Sequence, residues 1–228
     1  MYDLFIGNKN YSSWSLRPWV LLRELGIFFR ERLVPFAGLD NFDAFRAFSP
    51  TGKVPCLVDG PTTVWDSLAI TEYIGERHAG VWPAEAAARA WARSAAAEMH
   101  SGYVALRNTC TMNCGIRVQL PPIPAPLARE LARLEELWAE GIAEFGGPYL
   151  AGARFGAVDA FFAPVAFRIQ SYEPPLNAGA RRYAAQLLAL PSMQDWYAAA
   201  LAEIWRDPAH EEEARAVGPW TADLRASS

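Results

Sequence analysis

The 228 residues are 52% hydrophobic and carry 21 basic against 25 acidic side chains, a formal charge of −4; that length supports a sizeable core in one large domain or two small ones. No basic stripe interleaved with aromatics runs along the chain, so nucleic acid is not expected as a partner. No apolar run reaches the roughly 18 to 20 residues of a bilayer span, and MYDLFIGNKN lacks a basic flank before a leader-like block, so a cytoplasmic protein without a membrane partner is expected.

In chain order, YDLFIG (2–7) is short, apolar and bounded by Gly7-Asn8, which reads as a strand. A helix follows, with Ser15 as its cap, Pro18 in its first turn, Leu16, Val20 and Leu25 near one face, and Gly26 as its stop. IFFRERLV (27–34) reads as a second strand, parallel to the first across a βαβ unit. In DNFDAFRAFSP, Asp40 or Asn41 caps a short helix that presents Phe42, Phe45 and Phe48 and ends before Pro50. CLVDG and TTVWD flank the turn Asp59-Gly60-Pro61 and pair as a hairpin, after which DSLAITEYIGERH forms a helix with Ser67 at its start. This order over the first 78 residues is that of a thioredoxin-like domain.

From Pro83 onward the pattern changes to alanine-rich helix, with no strand expected and with GERHAGVWP as the linker. One long helix is read in AEAAARAWARSAAAEMHSGYVALRN and another in PLARELARLEELWAEGIAEFG, followed by shorter ones near 158–171, 179–190 and 193–205. The final DPAHEEEARAVGPWTADLRASS reads as a surface wrap or a frayed end. Cys56, Cys110 and Cys114 make neither an even disulfide framework nor a C-x-x-C pair, so reduced thiols and no metal are expected. Cys110 and Cys114, four apart, would share a helix face as buried small side chains.

Val54-Pro55 lies between a glycine-containing turn and a strand, where a cis X-Pro bond is possible. KVP before the hairpin, DS opening the next helix, the βαβαββα order and the helical second half together resemble the glutathione transferase family over essentially the whole chain. The resemblance implies an α+β thioredoxin-like N-terminal domain (1–78) and an all-α helical-bundle C-terminal domain (84–228), with glutathione as co-substrate. SSWSLR looks most like the S-S-C-x-x-R block of the zeta type, also known for maleylacetoacetate isomerase activity.

Carried onto this chain, the resemblance makes Ser12 or Ser13 the hydroxyl that stabilises the glutathione thiolate. A thiol titrates near 8.5 unperturbed, and one or two units of depression lie within what a hydrogen bond and a helix N-terminus supply. Ser13, four before Arg17, is preferred; Ser12 matches the first serine of the zeta block. Val54 would pair its backbone with the cysteinyl part, held open by Pro55, and Lys53 would meet the glycyl carboxylate. Asp66 and Ser67, at a helix start, would take the γ-glutamyl end. Tyr11, Trp14, Tyr103, Arg107 and Met112 are candidates for the pocket of a small hydrophobic electrophile, with Arg107 suited to a substrate carboxylate.

Trp14 stands where the zeta block has cysteine, which argues against disulfide exchange through a protein thiol and weakens the isomerase reading. Transfer to a hydrophobic electrophile, in a detoxifying role, remains the simplest activity, with a non-catalytic binding protein of the same fold as the other reading. In LAGARFGAVDA, Gly156 replaces the hydroxyl of a capping box, which leaves Asp159 to reach back alone. A homodimer is implied, with Trp65, Tyr73, Trp91 and Met99 as exposed-face candidates.

Overall fold

β1 (Tyr2–Ile6) alternates so that Leu4 and Ile6 are fully buried, the period expected of a strand with one face on a core. The computed structural model describes residues 1–36 and 41–226. β1 pairs in parallel with β2 (Phe29–Leu33), Leu4 opposite Glu31, and antiparallel with β3 (Cys56–Asp59), Leu4 opposite Leu57. β4 (Thr62–Trp65) completes a four-stranded sheet of order β2-β1-β3-β4, with the β3-β4 turn at Gly60.

The helix between β1 and β2 is α1 (Ser13–Glu24), which begins three residues earlier than a cap at Ser15 predicts. Ser12 holds the cap position, and no side chain caps the helix. Ser15 is instead inside the first turn, where its Oγ accepts from the Gly7 N–H (3.2 Å) and from the Ser12 hydroxyl (2.7 Å). Pro18 therefore falls in the second turn, where its missing N–H deprives the Trp14 carbonyl of its helical donor. α2 (Phe42–Arg46) starts after Asn41; the alternative cap, Asp40, lies outside the described residues. α3 (Ser67–Gly75) is capped by Asp66, whose Oδ1 accepts from Leu68 N–H at 2.7 Å.

The second half is helical but not purely so. The alanine-rich stretch divides into α4 (Ala86–Ser101) and α5 (Val104–Thr109), because Tyr103 takes a left-handed conformation (φ 56) and turns the chain. Cys110 and Cys114 lie beyond α5, so they share no helix face; both are buried and free, as is Cys56. After α6 (Ala125–Phe145), α7 (Ala157–Tyr172), α8 (Ala178–Leu188) and α9 (Pro191–Ala202), the last segment neither frays nor merely wraps. It forms α10 (Pro208–Val217) and β6 (Trp220–Asp223), and β6 pairs antiparallel with β5 (Ile116–Val118). Met99 is 2% exposed and belongs to the core, so it is removed from the candidate dimer face, whereas Trp65 on the edge strand is 43% exposed.

α7 is buried along almost its entire surface and packs on α1, α4 and α8. The chain enters it through Gly156, where a side-chain Cβ would stand 3.2 Å from the Val81 carbonyl. That approach explains glycine in place of a capping hydroxyl, and the Ala157 N–H donates to the same carbonyl at 2.8 Å. Asp159 reaches back to Gly156 N–H (2.9 Å) and also accepts from Leu150 N–H (3.0 Å) and the Tyr183 hydroxyl (2.6 Å). Burial pushes its pKa up to about 6 against the pull of these donors. Asp159→Ala would orphan three buried donors, so we expect a loss of about 3–5 kcal/mol in urea unfolding; a loss below about 1 kcal/mol would show that the box is not a folding anchor.

Candidate functional site

The β1-α1 loop, the segment ahead of the β3-β4 hairpin, and α5, α7 and α10 enclose a cleft of about 460 Å³. Its floor is the start of α1, where Ser12 and Ser13 are 5% and 8% exposed. The uncapped N-terminus of α1 gives this floor a partial positive charge. Ser12 spends its hydroxyl proton on Ser15. Ser13 accepts a hydrogen bond from Arg168 Nη2 at 3.4 Å, and its own hydroxyl proton has no acceptor among the described residues.

Lys53 and Val54 line the opposite wall after Gly52, whose φ of +63 and approach to the Phe42 ring exclude a side chain. The Val54-Pro55 bond is cis, and Pro55 is buried behind Val54. Asp66 and Ser67 lie outside the lining. Asp66 holds φ 60 and ψ 152, a conformation that costs an ordinary side chain about 1–3 kcal/mol. Ser67 is buried and its Oγ accepts from Arg17 Nη1 at 3.4 Å.

Trp14 faces the cleft and gathers cations. The Arg17 guanidinium lies 4.2 Å and that of Arg107 4.8 Å from its ring centre, with the His100 ring edge-on at 5.1 Å. Arg17, Arg107 and Arg168 have no carboxylate within ion-pair distance among the described residues, although Asp66 and Glu130 act on Arg17 and Arg107 from farther off. Burial, then the neighbouring Arg107 and Arg168 charges, pushes the Arg17 pKa well down. Burial and Arg107 push Arg168 down to about 10, and burial lowers Arg107. All three nonetheless stay charged at neutral pH. The thiols move the other way: burial raises Cys56 to about 11, Cys110 to about 12 and Cys114 higher still, so none offers a thiolate at neutral pH.

Of the sequence-predicted pocket residues, Tyr11, Trp14 and Arg107 line the cleft, and Tyr103 and Met112 do not. Tyr103 packs edge-on against Phe162 and donates to Glu98, and Met112 is 3% exposed in the helical core. Both therefore serve packing. Among the lining residues that escape sequence reasoning are two basic ones. Arg168 has one faint signal, an arginine in the apolar run FFAPVAFRIQ; His210, on α10, has none, because nothing local marks the C-terminal segment as folding back over the cleft.

That segment is pinned. Tyr11 donates to Glu211 at 2.7 Å, Arg225 donates to both Glu211 oxygens, and Asn113 Nδ2 donates at 3.2 Å. No group of three or more His, Cys, Asp or Glu able to hold a metal occurs among the described residues, and none of their helices is long and apolar enough to cross a membrane.

Comparison with known proteins gives matches over both halves. Residues 11–77 match the family model described as glutathione S-transferase, N-terminal domain, and residues 119–199 match the one described as glutathione S-transferase, C-terminal domain. A dichloromethane dehalogenase of Methylorubrum extorquens is 41% identical over 63 residues, 26% of this chain and 22% of that protein. The chain thus matches about a fifth of that curated relative's length. The crystal structure of a glutathione transferase homologue from Burkholderia, with bound glutathione, superposes with a TM-score of 0.64 at 24% identity, covering 87% of this chain and 97% of that one. A theta class glutathione S-transferase from Xanthomonas axonopodis pv. citri, with glutathione bound, is 25% identical, covers 86% and 96%, and has a TM-score of 0.59.

The pinning of the C-terminal segment makes it sensitive to acid. Burial raises the Glu211 pKa, but hydrogen bonds from Arg225 and Tyr11 outweigh it and hold the carboxyl below the usual range. A depressed carboxyl contributes stability above its unfolded pKa of about 4.3 and loses it as pH falls through the folded value. Amide protection of α10 and β6, corrected for intrinsic exchange, is expected to collapse below about pH 4 while that of α7 persists. Simultaneous loss in both would show that the segment is not separately held.

Proposed function

The chain belongs to the glutathione S-transferase family, and from that premise we propose that its cleft binds glutathione and uses Ser13 to hold the thiolate for transfer to a small hydrophobic electrophile. One observation carries the choice of residue: the Ser12 proton is committed to Ser15, while that of Ser13 is free to donate to sulfur. Arg168, donating to Ser13 Oγ, orients that hydroxyl, and the α1 N-terminus adds a field of the right sign. Together these favour thiolate over thiol by hydrogen bonding and by charge.

In this reading the first domain, residues 1–78, holds glutathione and the second, 84–228, supplies much of the electrophile wall. Val54, ahead of the cis Pro55, pairs its backbone with the cysteinyl unit, and Lys53 meets the glycyl carboxylate. Asp66 and Ser67, beside Arg17 at the start of α3, take the γ-glutamyl ammonium and carboxylate. The electrophile lies against Tyr11, Trp14 and Arg107. Trp14 occupies the place of a redox cysteine, so the chain acts by transfer rather than by thiol exchange or isomerisation. The dehalogenase relative favours an activated halide as the first substrate to try. Two copies pair through the β4 edge carrying the exposed Trp65, and the setting is cytoplasmic detoxification.

The test is retention on immobilised glutathione together with turnover of an aryl halide. Ser13→Ala should raise the bound thiol's pKa by about one to two units, the worth of one hydrogen bond to an anion. The shift is read from thiolate absorbance and from the pH profile of kcat/KM, with a smaller change for Ser12→Ala. An intact fold with neither retention nor turnover would sink the transferase reading in favour of a binding protein.

A further inference from the structure

His210 brings to the cleft a group that the thiolate chemistry above does not use. Its ring stacks on Tyr11 (centroids 5.0 Å apart, 22° between planes) and on Phe36 (5.3 Å, 15°), and both of these residues line the cleft with Ser13. Its Nδ1 is 2.6 Å from Oδ2 of Asp207, which is only 3% exposed and also caps α10 by accepting the His210 N–H at 3.2 Å. A buried carboxylate in that position holds the proton on Nδ1 and fixes the orientation of the ring. Nε2 has no hydrogen-bond partner among the described residues. Of the other titratable groups lining the cleft, Tyr11 is tied to Glu211 and raised by burial, the guanidinium groups stay charged, and Glu213 and Lys53 are exposed to solvent.

We propose that His210, oriented by Asp207, is a catalytic acid–base residue that delivers a proton to electrophiles of the α,β-unsaturated carbonyl class. This rests on the transferase reading and extends it to a second substrate type. As glutathione's sulfur adds to the β-carbon, the C–S bond forms and the carbon–carbon π bond breaks. The electron pair moves to the enolate, and the His210 imidazolium gives its Nε2 proton to the α-carbon. The neutral imidazole then takes the proton that the next glutathione thiol releases, so the net change is one S–H lost and one C–H gained. Displacement of halide from an aryl ring needs no such proton, because the halide leaves as an anion and the thiol's proton goes to solvent.

That difference gives the experiment. The unaltered chain, His210→Gln and Asp207→Asn are assayed with glutathione and two electrophiles, an enone and an aryl halide, and each is tested for retention on immobilised glutathione. Asparagine caps helices as well as aspartate does, so Asp207→Asn keeps the start of α10 while removing the charge. The ratio of enone to halide kcat/KM is expected to fall about a hundredfold in His210→Gln and about tenfold in Asp207→Asn, the scale of acid–base assistance, with glutathione retention kept. An unchanged ratio in both variants, including a parallel fall of both rates, overturns the proposal and leaves His210 a packing residue. Turnover of neither electrophile by the unaltered chain overturns the transferase reading and this inference with it.

Discussion

α7 has almost no exposed side chain, and the polar groups it carries must be satisfied by whatever surrounds it. Asp159 in its first turn draws in the Leu150 and Gly156 backbone and the Tyr183 hydroxyl, which fixes the helix against the linker and α8. Farther along, Arg168 is 6% exposed and needs acceptors: the Arg107 and Cys110 carbonyls from the end of α5 and the Ser13 hydroxyl from α1 provide them. The juxtaposition of α1, α5 and α7 around the cleft is thus the arrangement that gives acceptors to the two terminal nitrogens of one buried guanidinium. The packing of the two halves and the aim of the Ser13 hydroxyl have the same cause.

The same economy shapes the electrostatics. The guanidinium groups of Arg17 and Arg107 lie on Trp14 and that of Arg168 lies beside Ser13, and the Nε atoms of all three are buried with no partner among the described residues. An aromatic face and carbonyl oxygens stabilise them in part, but no carboxylate forms an ion pair with them among the described residues. Of the charged side chains lining the cleft, Lys53, Arg107 and Arg168 are basic and Glu213 is acidic, so the balance of the lining is positive. Such a lining acts on any acid that enters, lowering the cost of its charged form before a specific hydrogen bond is made. Trp14 matters here for the two cations gathered on its ring.

What could be read from the sequence was local. The βαβ unit, the Gly60 hairpin and the change to helix after Pro83 are all marked by residues next to one another in the chain, and each is present. Asp66 caps α3 as an aspartate before a helix should. The misses have long-range causes. β5 is three residues among prolines and cysteines, and it is a strand only because β6 reaches it from a hundred residues away. Alanine-rich propensity argues for an unbroken helix through 102–103, but the chain leaves the helix at Gly102, where a Cβ would stand 2.8 Å from the Glu98 carbonyl one turn back, and Tyr103 is buried against Phe162. Ser15 reads locally as a cap because no short pattern shows that its hydroxyl is needed by Gly7, on the far side of the loop. Arg168 and His210 reach the cleft only through the packing of α7 and α10, which no short window contains.

The strap made by α10 and β6 bears on how the molecule is made. The floor of the cleft is laid down by residues 12 and 13, but the wall carrying His210 and the Arg225 clasp on Glu211 comes near the far end of the described chain. α1, which carries that floor, packs on α7, so the floor is set only once the second half of the chain has been made. A fusion or affinity tag placed after residue 226 would hang from the element that closes it, while one before Met1 would be joined to the sheet at β1, away from the closing wall.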